Sequence, residues 1–327
     1  MNIALLHTQD ALEPPVDPVL DQLEQAVRSG GHEFRRLVVD STVQPLVTSL
    51  NQDRPDLVLN IAESFAGKSA LESNVAALLN LLGLRYTGSS PAGLILAGDK
   101  TLTKKVLSFH SILTARFVTV FRGNVDWAGD VEFPLIVKPP QEDASLGITQ
   151  KSIVNDVKEL LQTISSLQTE FQSPVLAEEF IDGREFYVGV LGNSDVKALP
   201  IIELDFTGYP EGRPRIASWA AKWGDDGDEK GEEFAGTRSL FPTDLPESLT
   251  TRIQQVAIDA FHALRLRDYA RVDLRVTPKE EIYVIEVNPN CYLEQKSEFA
   301  SAAARDGIEY TALINRIIEL ASARYSR

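Results

Sequence analysis

The amino-acid sequence predicts an α/β protein, and three features of its 327 residues indicate that class. Strand-like apolar runs alternate with amphipathic helix-like segments through the first part of the chain. Two later regions combine strand-like segments with a few long helix-like segments. The composition, 43% hydrophobic and 24% charged residues, is typical of a folded globular protein. A chain of this length is expected to divide, and we predict three units, residues 1–97, 98–180 and 181–327.

The first unit is predicted to be a doubly wound, mostly parallel sheet, because strand and helix patterns alternate along it. The predicted strands are Ile3–Leu6, Glu33–Val39 and Leu57–Asn60, and the predicted helices are Val19–Ser29, Val43–Gln52 and Leu71–Leu82. The first apolar run has no basic leader and is too short for a signal peptide or a membrane helix, so we expect a buried strand. No Gly-x-Gly-x-x-Gly sequence follows that run, which argues against a dinucleotide-binding fold.

The second and third units are predicted to be mixed α+β structures. In the second unit the predicted elements are a Lys-rich helix Asp99–Phe109, a strand Phe133–Lys138, a helix near Val154–Ser165 and a strand Val175–Phe180. In the third unit they are strands Phe186–Gly192 and Pro200–Asp205, a helix Leu249–Leu264, a β-hairpin and a final helix Tyr310–Ala321. The highly charged stretch Asp225–Glu233 is expected to be a mobile loop.

The net charge limits the kinds of partner that we expect the protein to bind, and the cysteine content indicates the compartment in which we expect it to occur. A net charge of −15 argues against a nucleic-acid partner, since that partner requires a basic surface. We also expect no membrane association, because no segment is long and apolar enough. Cys291 is the single cysteine, so no internal disulfide can form and a reducing cytoplasm is the expected setting. The four histidines lack the spacing of a zinc site.

The β-hairpin carries the polar pattern that most directly indicates chemistry. Its two strands, Ala270–Val276 and Ile282–Asn288, alternate polar and apolar residues. A turn centred between Lys279 and Glu280 would place four polar side chains on one face in two opposed pairs. These pairs are Asp273 with Glu286 and Arg271 with Asn288. The residues expected on the other face, against a core, are Val272, Leu274, Val276, Ile285 and Val287.

Two carboxylates opposed across a strand pair destabilise the sheet, so their placement needs a reason. A hard divalent cation such as Mg²⁺ would remove that penalty, because it prefers carboxylate and amide oxygens. Asn288 would add a neutral oxygen ligand, and Arg271 could hold an anion beside the metal. The alternative is a solvated face on an edge hairpin, which explains charged residues but not like charges facing each other.

Five motifs occur in an order that resembles ATP-grasp ligases, most closely the D-alanine–D-alanine ligase family, over nearly the whole chain. The motifs are Thr87–Ser89 followed by Asp99–Lys100, then Phe133–Pro139, Glu178–Phe186, Tyr269–Asp273 and Glu286–Asn290. The resemblance implies an ATP-grasp fold, in which the N-terminal parallel sheet is joined by two α+β subdomains that clamp ATP. The resemblance also makes a homodimer through the first domain one candidate assembly.

The same resemblance implies roles for individual residues. Those implied to bind ATP are Lys100, Lys138, Ser145, Glu178, Glu179, Ile181, Glu185 and Lys222. Among them the lysines contact phosphates, Glu178 and the backbone of its neighbours face adenine, and Glu185 takes the ribose hydroxyls. Asp273, Glu286 and Asn288 are implied to hold one or two Mg²⁺ ions, for which Mn²⁺ could substitute. Arg271, Lys222 and Ser297 are implied to act in the reaction, with Ser297 binding the carboxylate of the second substrate.

The implied reaction is ATP-dependent carbon–nitrogen ligation with amino acids or small peptides as substrates. A substrate carboxylate attacks the γ-phosphorus of ATP to give an acyl phosphate, and an amine then displaces phosphate. Two other functions stay open: a nucleotide-binding regulatory protein that has lost ligation, and phosphotransfer to a carboxylate or hydroxyl without amide formation.

The substrate side of the family pattern is altered. The phosphate-covering loop is Glu142–Gly147, with an acid and an alanine where the family has glycine and serine, and Cys291-Tyr292 replace Pro-Gly. The N-terminal Gly-Gly segment becomes His7-Thr8, its substrate-binding glutamate cannot be assigned to Glu13, and Asn60 replaces a histidine. We therefore expect that D-alanyl-D-alanine is not made efficiently.

The remaining candidates near the altered segments are interpreted as follows. Cys291 is not expected to be a nucleophile, because no histidine lies near it in sequence. Tyr292 is expected to shape or plug the acceptor pocket. Trp219 and Trp223, on either side of Lys222, are interpreted as either packing or pocket-lining residues.

Overall fold

A computed structural model of the chain describes residues 1–9, 16–121, 123–127, 130–141, 148–171, 173–217 and 236–325. Within these ranges the strands form three sheets, one in each predicted unit. The α/β class predicted from the sequence is therefore confirmed. We propose the division at residues 97 and 180 as the domain boundaries, because each of the resulting ranges contains one sheet.

The first sheet is parallel, with strand order β2-β1-β3, as the alternating pattern predicted. Its strands are β1 (Asn2–Thr8), β2 (Glu33–Val39) and β3 (Leu57–Asn60). The helices of this unit are α1 (Val19–Ser29), α2 (Val43–Gln52), α3 (Glu72–Leu81) and α4 (Pro91–Gly98). The central residues of β1 are fully buried, which is typical of a parallel strand covered on both faces.

The second sheet is antiparallel, with strand order β5-β4-β8-β6-β7. Its strands are β4 (Phe117–Phe121), β5 (Asn124–Trp127), β6 (Leu135–Lys138), β7 (Ile153–Val154) and β8 (Val175–Glu179), accompanied by α5 (Lys100–Phe109) and α6 (Val157–Phe171). Strand β6 begins two residues later than predicted, and Pro134 has no N–H for a strand pair. Helix α6 begins at Val157 because Val154 pairs with Leu135 in the sheet.

The third sheet is also antiparallel, with strand order β12-β11-β9-β13-β14 and β10 paired to β9. Its strands are β9 (Arg184–Gly192), β10 (Lys197–Ala198), β11 (Ile202–Asp205), β12 (Arg238–Leu240), β13 (Asp268–Val276) and β14 (Ile282–Asn288). The helices of this unit are α7 (Glu247–Ala263), α8 (Glu298–Arg305) and α9 (Tyr310–Arg324). None of the helices in the described ranges is long and apolar enough to cross a membrane.

The last helix, α9, packs between the first and third units, against α1 and β3 of the first and against β9 and β13 of the third. Leu313 and Ile317 of α9 share one buried apolar cluster with Ile3 of β1 and Leu23 of α1. Phe299 of α8 belongs to the same cluster, so the first and third units are joined by a common core. Burial on this scale makes it unfavourable for the two units to separate.

A buried aspartate also ties the first unit to the start of β13. Asp268 is 0% exposed, and its carboxylate accepts hydrogen bonds from the Gly88 backbone N–H at 2.8 Å and from Arg324 at 2.7 and 2.9 Å. Asn193 donates a further bond to it at 2.8 Å. The Gly88 turn has φ of 84°, which only glycine adopts freely. The Thr87–Ser89 motif thus holds the strand that carries Arg271 and Asp273.

Candidate active site

The hairpin of β13 and β14 places the predicted polar residues in the predicted pairs. Asp273 lies opposite Glu286, and Arg271 lies opposite Asn288. Nearer the turn the predicted register is wrong, because Leu274 pairs with Val284 rather than with Ile285. A β-bulge therefore adds Ile285 as an unpaired residue. Ile285 lines a cleft beside Glu286, and its predicted place in the core is incorrect.

A cleft between the second and third sheets collects most of the predicted nucleotide-binding residues. Strands β6 and β8 form one wall, and β9, β13 and β14 form the other. The predicted site residues on its lining are Lys100, Lys138, Glu178, Glu179, Ile181, Glu185, Asp273 and Glu286. These residues come from distant parts of the chain, and the fold brings their side chains together. In the sequence they were related only through the order of the motifs.

The remaining predicted residues are either outside the described ranges or on other parts of the hairpin and of α8. Several predicted residues and segments fall outside the described residues. They are Lys222, Ser145, Trp219, Trp223, the Glu142–Gly147 loop and the Asp225–Glu233 stretch. Arg271 and Asn288 sit on the hairpin two residue pairs beyond Asp273 and Glu286, and they do not line the cleft itself. Ser297 caps α8, where its hydroxyl accepts from the Ala300 N–H at 3.4 Å and donates to the Tyr292 carbonyl at 3.0 Å. If Ser297 binds substrate as predicted, the same hydroxyl must serve both the substrate and these two hydrogen bonds.

The cleft also contains residues that sequence reasoning did not single out. Most of them are apolar, and they are Ile136, Ile148, Phe180, Ile216, Ala217 and Ile285, together with Arg275. Two had a usable signal, because Ile136 is two residues from Lys138 and Arg275 is two residues from Asp273, which places each pair on one strand face. Ile148 and Ile216 are in loops, where no periodicity points to the cleft.

A buried group of two lysines and one glutamate forms the back of the cleft. The Glu178 carboxylate contacts the Lys138 Nζ at 2.7 Å with one oxygen and the Lys104 Nζ at 2.7 Å with the other. Burial alone would raise the pKa of Glu178, but the two neighbouring ammonium groups outweigh it and hold that pKa below its usual value. Lys104 was not predicted, although it lies one helical turn from Lys100 on α5.

Replacing Lys104 by methionine is expected to destabilise the protein by about 3 kcal/mol, because it breaks a buried ion pair. Lys104 is 1% exposed and also donates to the Thr114 hydroxyl at 2.7 Å. The matched control is Lys105→Met, whose side chain is 46% exposed beside Asp126 and should cost less than ~1 kcal/mol. Urea denaturation of both variants measures the difference, and equal losses would show that the buried pair has no special role.

Each of the two hairpin carboxylates is paired with a positively charged side chain in this structure. The Arg271 guanidinium donates to both oxygens of Asp273, at 2.7 and 2.9 Å. The Lys100 Nζ lies 2.6 Å from a Glu286 oxygen. The repulsion between the two opposed carboxylates is therefore already reduced by protein side chains. The prediction of a metal then rests on the chemistry of the ligands rather than on that repulsion.

The hairpin residues nevertheless fit a hard divalent cation. Asp273 and Glu286 supply carboxylate oxygens, and Asn288 can turn its amide oxygen inward, although its Nδ2 now donates to Asp273 at 3.2 Å. Within the described ranges no three His, Cys, Asp or Glu side chains form a metal-binding group. A cation here would need further ligands, and phosphate oxygens and water are those that Mg²⁺ commonly keeps.

Arg271 is held rigidly as a permanent cation. Its guanidinium stacks 4.9 Å from the centre of the Tyr187 ring and lies 3.6 Å from a Glu298 oxygen. Burial alone would lower the pKa of Arg271, but the Asp273 carboxylate outweighs it and the pKa is raised above its usual value. A fixed positive charge at this position can stabilise negative charge that develops on a reacting group.

Glu185, the predicted ribose ligand, is fixed by two neighbours. One oxygen accepts from Arg275 at 2.7 and 3.1 Å, and the other accepts from the Tyr187 hydroxyl at 3.0 Å. Arg275 also donates to the Ile181 carbonyl at 2.9 Å, so it links two of the predicted nucleotide-binding positions. Arg275 is thus a positioning residue for this part of the cleft.

Cys291 lies at the edge of the hairpin site and is buried. Burial raises the pKa of its thiol to about 12, so the group is protonated at neutral pH and is a poor nucleophile. The sequence argument on this point was incomplete, because the fold brings His7 to the same small cleft as Cys291. Tyr292 also lines that cleft, where its hydroxyl donates to Asp17 at 2.6 Å.

Comparison with known proteins gives a consistent result. Residues 111–319 match the family described as D-ala D-ala ligase C-terminus. The D-alanine–D-alanine ligase of Syntrophotalea carbinolica is 35% identical over 260 residues, 79% of this chain and 77% of that protein. The uncharacterized protein y4sG of Sinorhizobium fredii is 31% identical over 321 residues, 95% of this chain and 89% of that protein.

The fold has a counterpart among solved structures. The crystal structure of the D-alanine–D-alanine ligase from Bacillus anthracis complexed with ATP superimposes with a TM-score of 0.77 and 25% sequence identity. The superposition covers 99% of this chain and 98% of the other. The three sheets and their connections are therefore those of an ATP-grasp ligase.

Proposed function

Because the chain belongs to the D-alanine–D-alanine ligase family, we propose that it is an ATP- and Mg²⁺-dependent carboxylate–amine ligase that joins amino acids or small peptides. The observation that carries this proposal is the cleft between the second and third sheets. It combines the buried lysines Lys100 and Lys138 with the opposed carboxylates Asp273 and Glu286. That set of charges suits a nucleoside triphosphate together with a divalent cation.

The residues that line the cleft fall into groups that suit the different parts of ATP. Ile136, Phe180 and Ile216 offer apolar surface for a flat base, beside the polar edge at Glu178 and Glu179. Lys100 and Lys138 lie on separate elements, where two point charges can hold neighbouring phosphates. Glu185 and Arg275, which are hydrogen-bonded to each other at 2.7 Å, also line the cleft and suit the ribose.

The proposed reaction has two steps. An oxygen of the donor carboxylate bonds to the γ-phosphorus and ADP leaves, which gives an acyl phosphate. The acceptor nitrogen then bonds to the acyl carbon, phosphate leaves, and the nitrogen gives up a proton. Asp273, Glu286 and Asn288 would hold Mg²⁺, which would neutralise charge on the phosphates. Arg271 would stabilise the charge that develops on the transferring phosphoryl group and on the tetrahedral carbon.

The donor and acceptor are proposed to differ from D-alanine. Tyr292 stands where the family has glycine, and its ring and its bond to Asp17 occupy space that a glycine would leave open. A phosphate-release assay tests this point, because strong stimulation of turnover by D-alanine would contradict the proposal.

A second candidate is a nucleotide-binding protein that no longer ligates. The pairing of Asp273 with Arg271 and of Glu286 with Lys100 favours it, since the site is electrostatically balanced within the chain. A third candidate, phosphotransfer without amide formation, follows from the replacement of Pro-Gly by Cys291-Tyr292 beside the reacting groups.

One experiment separates the three candidates. The full chain is incubated with ATP, Mg²⁺ or Mn²⁺ and pools of amino acids and dipeptides, and both ADP release and new product masses are measured. Ligation gives ADP and a mass equal to two substrates less water. ADP release without a new amide mass indicates phosphotransfer, and ATP binding with no ADP release from any pool indicates a regulator.

A further inference from the structure

Tyr187 lies on the face of the third sheet that forms one wall of the nucleotide cleft. It is on β9, paired with Asp273 on β13. Side chains two residues apart on a strand share a face, so Glu185 is its neighbour along β9. Arg271 follows Asp273 on that face by the same spacing. Tyr187 is 4% exposed and lies beside the cleft lining rather than in it.

The hydroxyl of Tyr187 fixes the proposed ribose ligand. It donates to one oxygen of Glu185 at 3.0 Å, while Arg275 donates to the other oxygen at 2.7 and 3.1 Å. Burial, together with the carboxylates of Glu185 and Asp273, raises the pKa of Tyr187 well above its usual value, so the hydroxyl keeps its proton and remains a donor. Both Glu185 oxygens can accept further hydrogen bonds, because each carboxylate oxygen has two acceptor sites.

The ring of Tyr187 supports the Arg271 guanidinium. The guanidinium carbon lies 4.9 Å from the ring centre, within the range of an attractive cation–π contact. The ring belongs to the buried apolar cluster that joins the first and third units, together with Leu199 and Phe299. Close packing in that cluster fixes the ring. Arg271 is therefore held by a rigid surface as well as by its two bonds to Asp273.

One side chain thus contacts two groups with different proposed roles. Glu185 lies on β9 and Arg271 on β13, so no single stretch of backbone sets their relative position. Tyr187 contacts both of them, one with its hydroxyl and the other with its ring. The alternative is a residue that only fills the core, and in that case phenylalanine would serve ATP equally well.

We propose that Tyr187 is a positioning residue that fixes Glu185 through its hydroxyl and Arg271 through its ring. It thereby aligns the ribose of ATP with the phosphoryl group that is transferred. The hydroxyl acts only on nucleotides that carry ribose hydroxyls, whereas the ring acts on the reaction step. The inference rests on the proposed function, because it assigns a further residue to the same reaction.

The first test removes the hydroxyl alone. In the ADP-release assay with the amino-acid pools, Tyr187→Phe should raise KM for ATP about tenfold and change kcat by less than about twofold. The KM for 2′,3′-dideoxy-ATP should change by less than about twofold, because that nucleotide has no hydroxyl for Glu185 to accept. General damage to the cleft would raise both KM values by the same factor.

The second test removes the ring as well. Tyr187→Leu should lower kcat about tenfold below that of Tyr187→Phe, because the guanidinium loses its cation–π partner. In an Arg271→Lys background the same change from phenylalanine to leucine should lower kcat by less than about twofold, because the planar group that the ring supports is already absent. A ring that acted only through core packing would lower kcat by the same factor in both backgrounds.

The matched control is Tyr86→Phe. Tyr86 is also buried, its hydroxyl accepts from Arg267 at 3.3 Å, and the Arg267 guanidinium lies 5.6 Å from its ring centre. These contacts are away from the nucleotide cleft, so KM for ATP and kcat should both stay within about twofold of the unmodified chain. Thermal denaturation followed by circular dichroism sets an assay temperature at which every variant is folded.

The outcomes separate this inference from the proposed function. If the pools support ADP release, the inference is wrong when Tyr187→Phe changes both nucleotides alike or neither, or when the ring and Arg271 effects on kcat are independent; the proposed function then stands. If no pool supports ADP release, the proposed function fails, and calorimetry with the β,γ-imido analogue of ATP and its dideoxy form decides the inference. Weaker binding of the ribose form alone in Tyr187→Phe would support it, and equal changes in both would overturn it.

Discussion

Asp273→Asn is expected to lower the rate of ATP-dependent turnover by about 10³-fold. Asp273 lies opposite Glu286 on the hairpin. Its strand β13 is paired on both sides, whereas Glu286 lies on the edge strand β14. Asparagine keeps the size and one oxygen, but it removes the negative charge that would hold a divalent cation against the phosphates. Raising the Mg²⁺ concentration should restore part of the lost rate. Steady-state ADP release across a Mg²⁺ titration measures both effects.

The matched control for this substitution is Asp306→Asn. Asp306 pairs with Lys197 at 2.5 Å after α8 and does not line the nucleotide cleft. Its loss should change turnover by less than twofold, since surface ion pairs contribute little. If Asp273→Asn keeps turnover within about tenfold of the unmodified chain, Asp273 is not a metal ligand in the reaction.

The second large effect is expected for Arg271→Lys, which should lower kcat by about 10²-fold with little change in KM for ATP. Lysine keeps the charge but cannot make the two parallel bonds that the guanidinium makes to Asp273. Because Arg271 would act on charge that develops during the reaction, its loss should affect the rate constant and not substrate binding. Steady-state kinetics over a range of ATP concentrations separates the two parameters.

Arg275→Lys provides the contrast on the same strand. Arg275 holds Glu185 and the Ile181 carbonyl, which are proposed to meet the ribose and the base. Its substitution should raise KM for ATP about tenfold, because a charged hydrogen bond is lost from the binding site. If the two variants change kcat and KM in the same way, the separate roles of Arg271 and Arg275 are wrong.

The site could be predicted from the sequence where strand periodicity applies. Alternation along the hairpin was enough to place Asp273 opposite Glu286, since a strand pair has a fixed period of two. The same reasoning failed at Ile285, because a bulge adds one residue and shifts the register without a sequence marker such as glycine. Arg275 could have been predicted by the same argument, because it lies two residues from Asp273 on the same strand face.

Local sequence signals mark the starts of two helices that the apolar periodicity did not predict. Helix α4 begins after Ser90, whose hydroxyl accepts from the Gly93 N–H, with Pro91 at its first position. Helix α8 begins after Ser297 and is rich in alanine, a strong helix former. Both patterns predict a helix start, so these two helices could have been found without the structure.

The small cleft that contains His7 and Tyr292, and the cluster around Asp268, could not be predicted from local sequence signals. His7 and Tyr292 lie near opposite ends of the chain and meet only when the third unit packs on the first. Asp268, Gly88 and Arg324 come together for the same reason. No periodicity within one segment contains that information, since it resides in the contacts between units.

The measurement that tests the central claim most directly follows oxygen from the donor carboxylate. The full chain is given ATP, a divalent cation and a pool of amino acids labelled with ¹⁸O in their carboxyl groups, and the released phosphate is analysed by mass. An acyl phosphate intermediate predicts one ¹⁸O atom in each released phosphate, because the attacking carboxylate oxygen stays with phosphorus when the amine displaces it. Unlabelled phosphate released together with ADP would contradict the account.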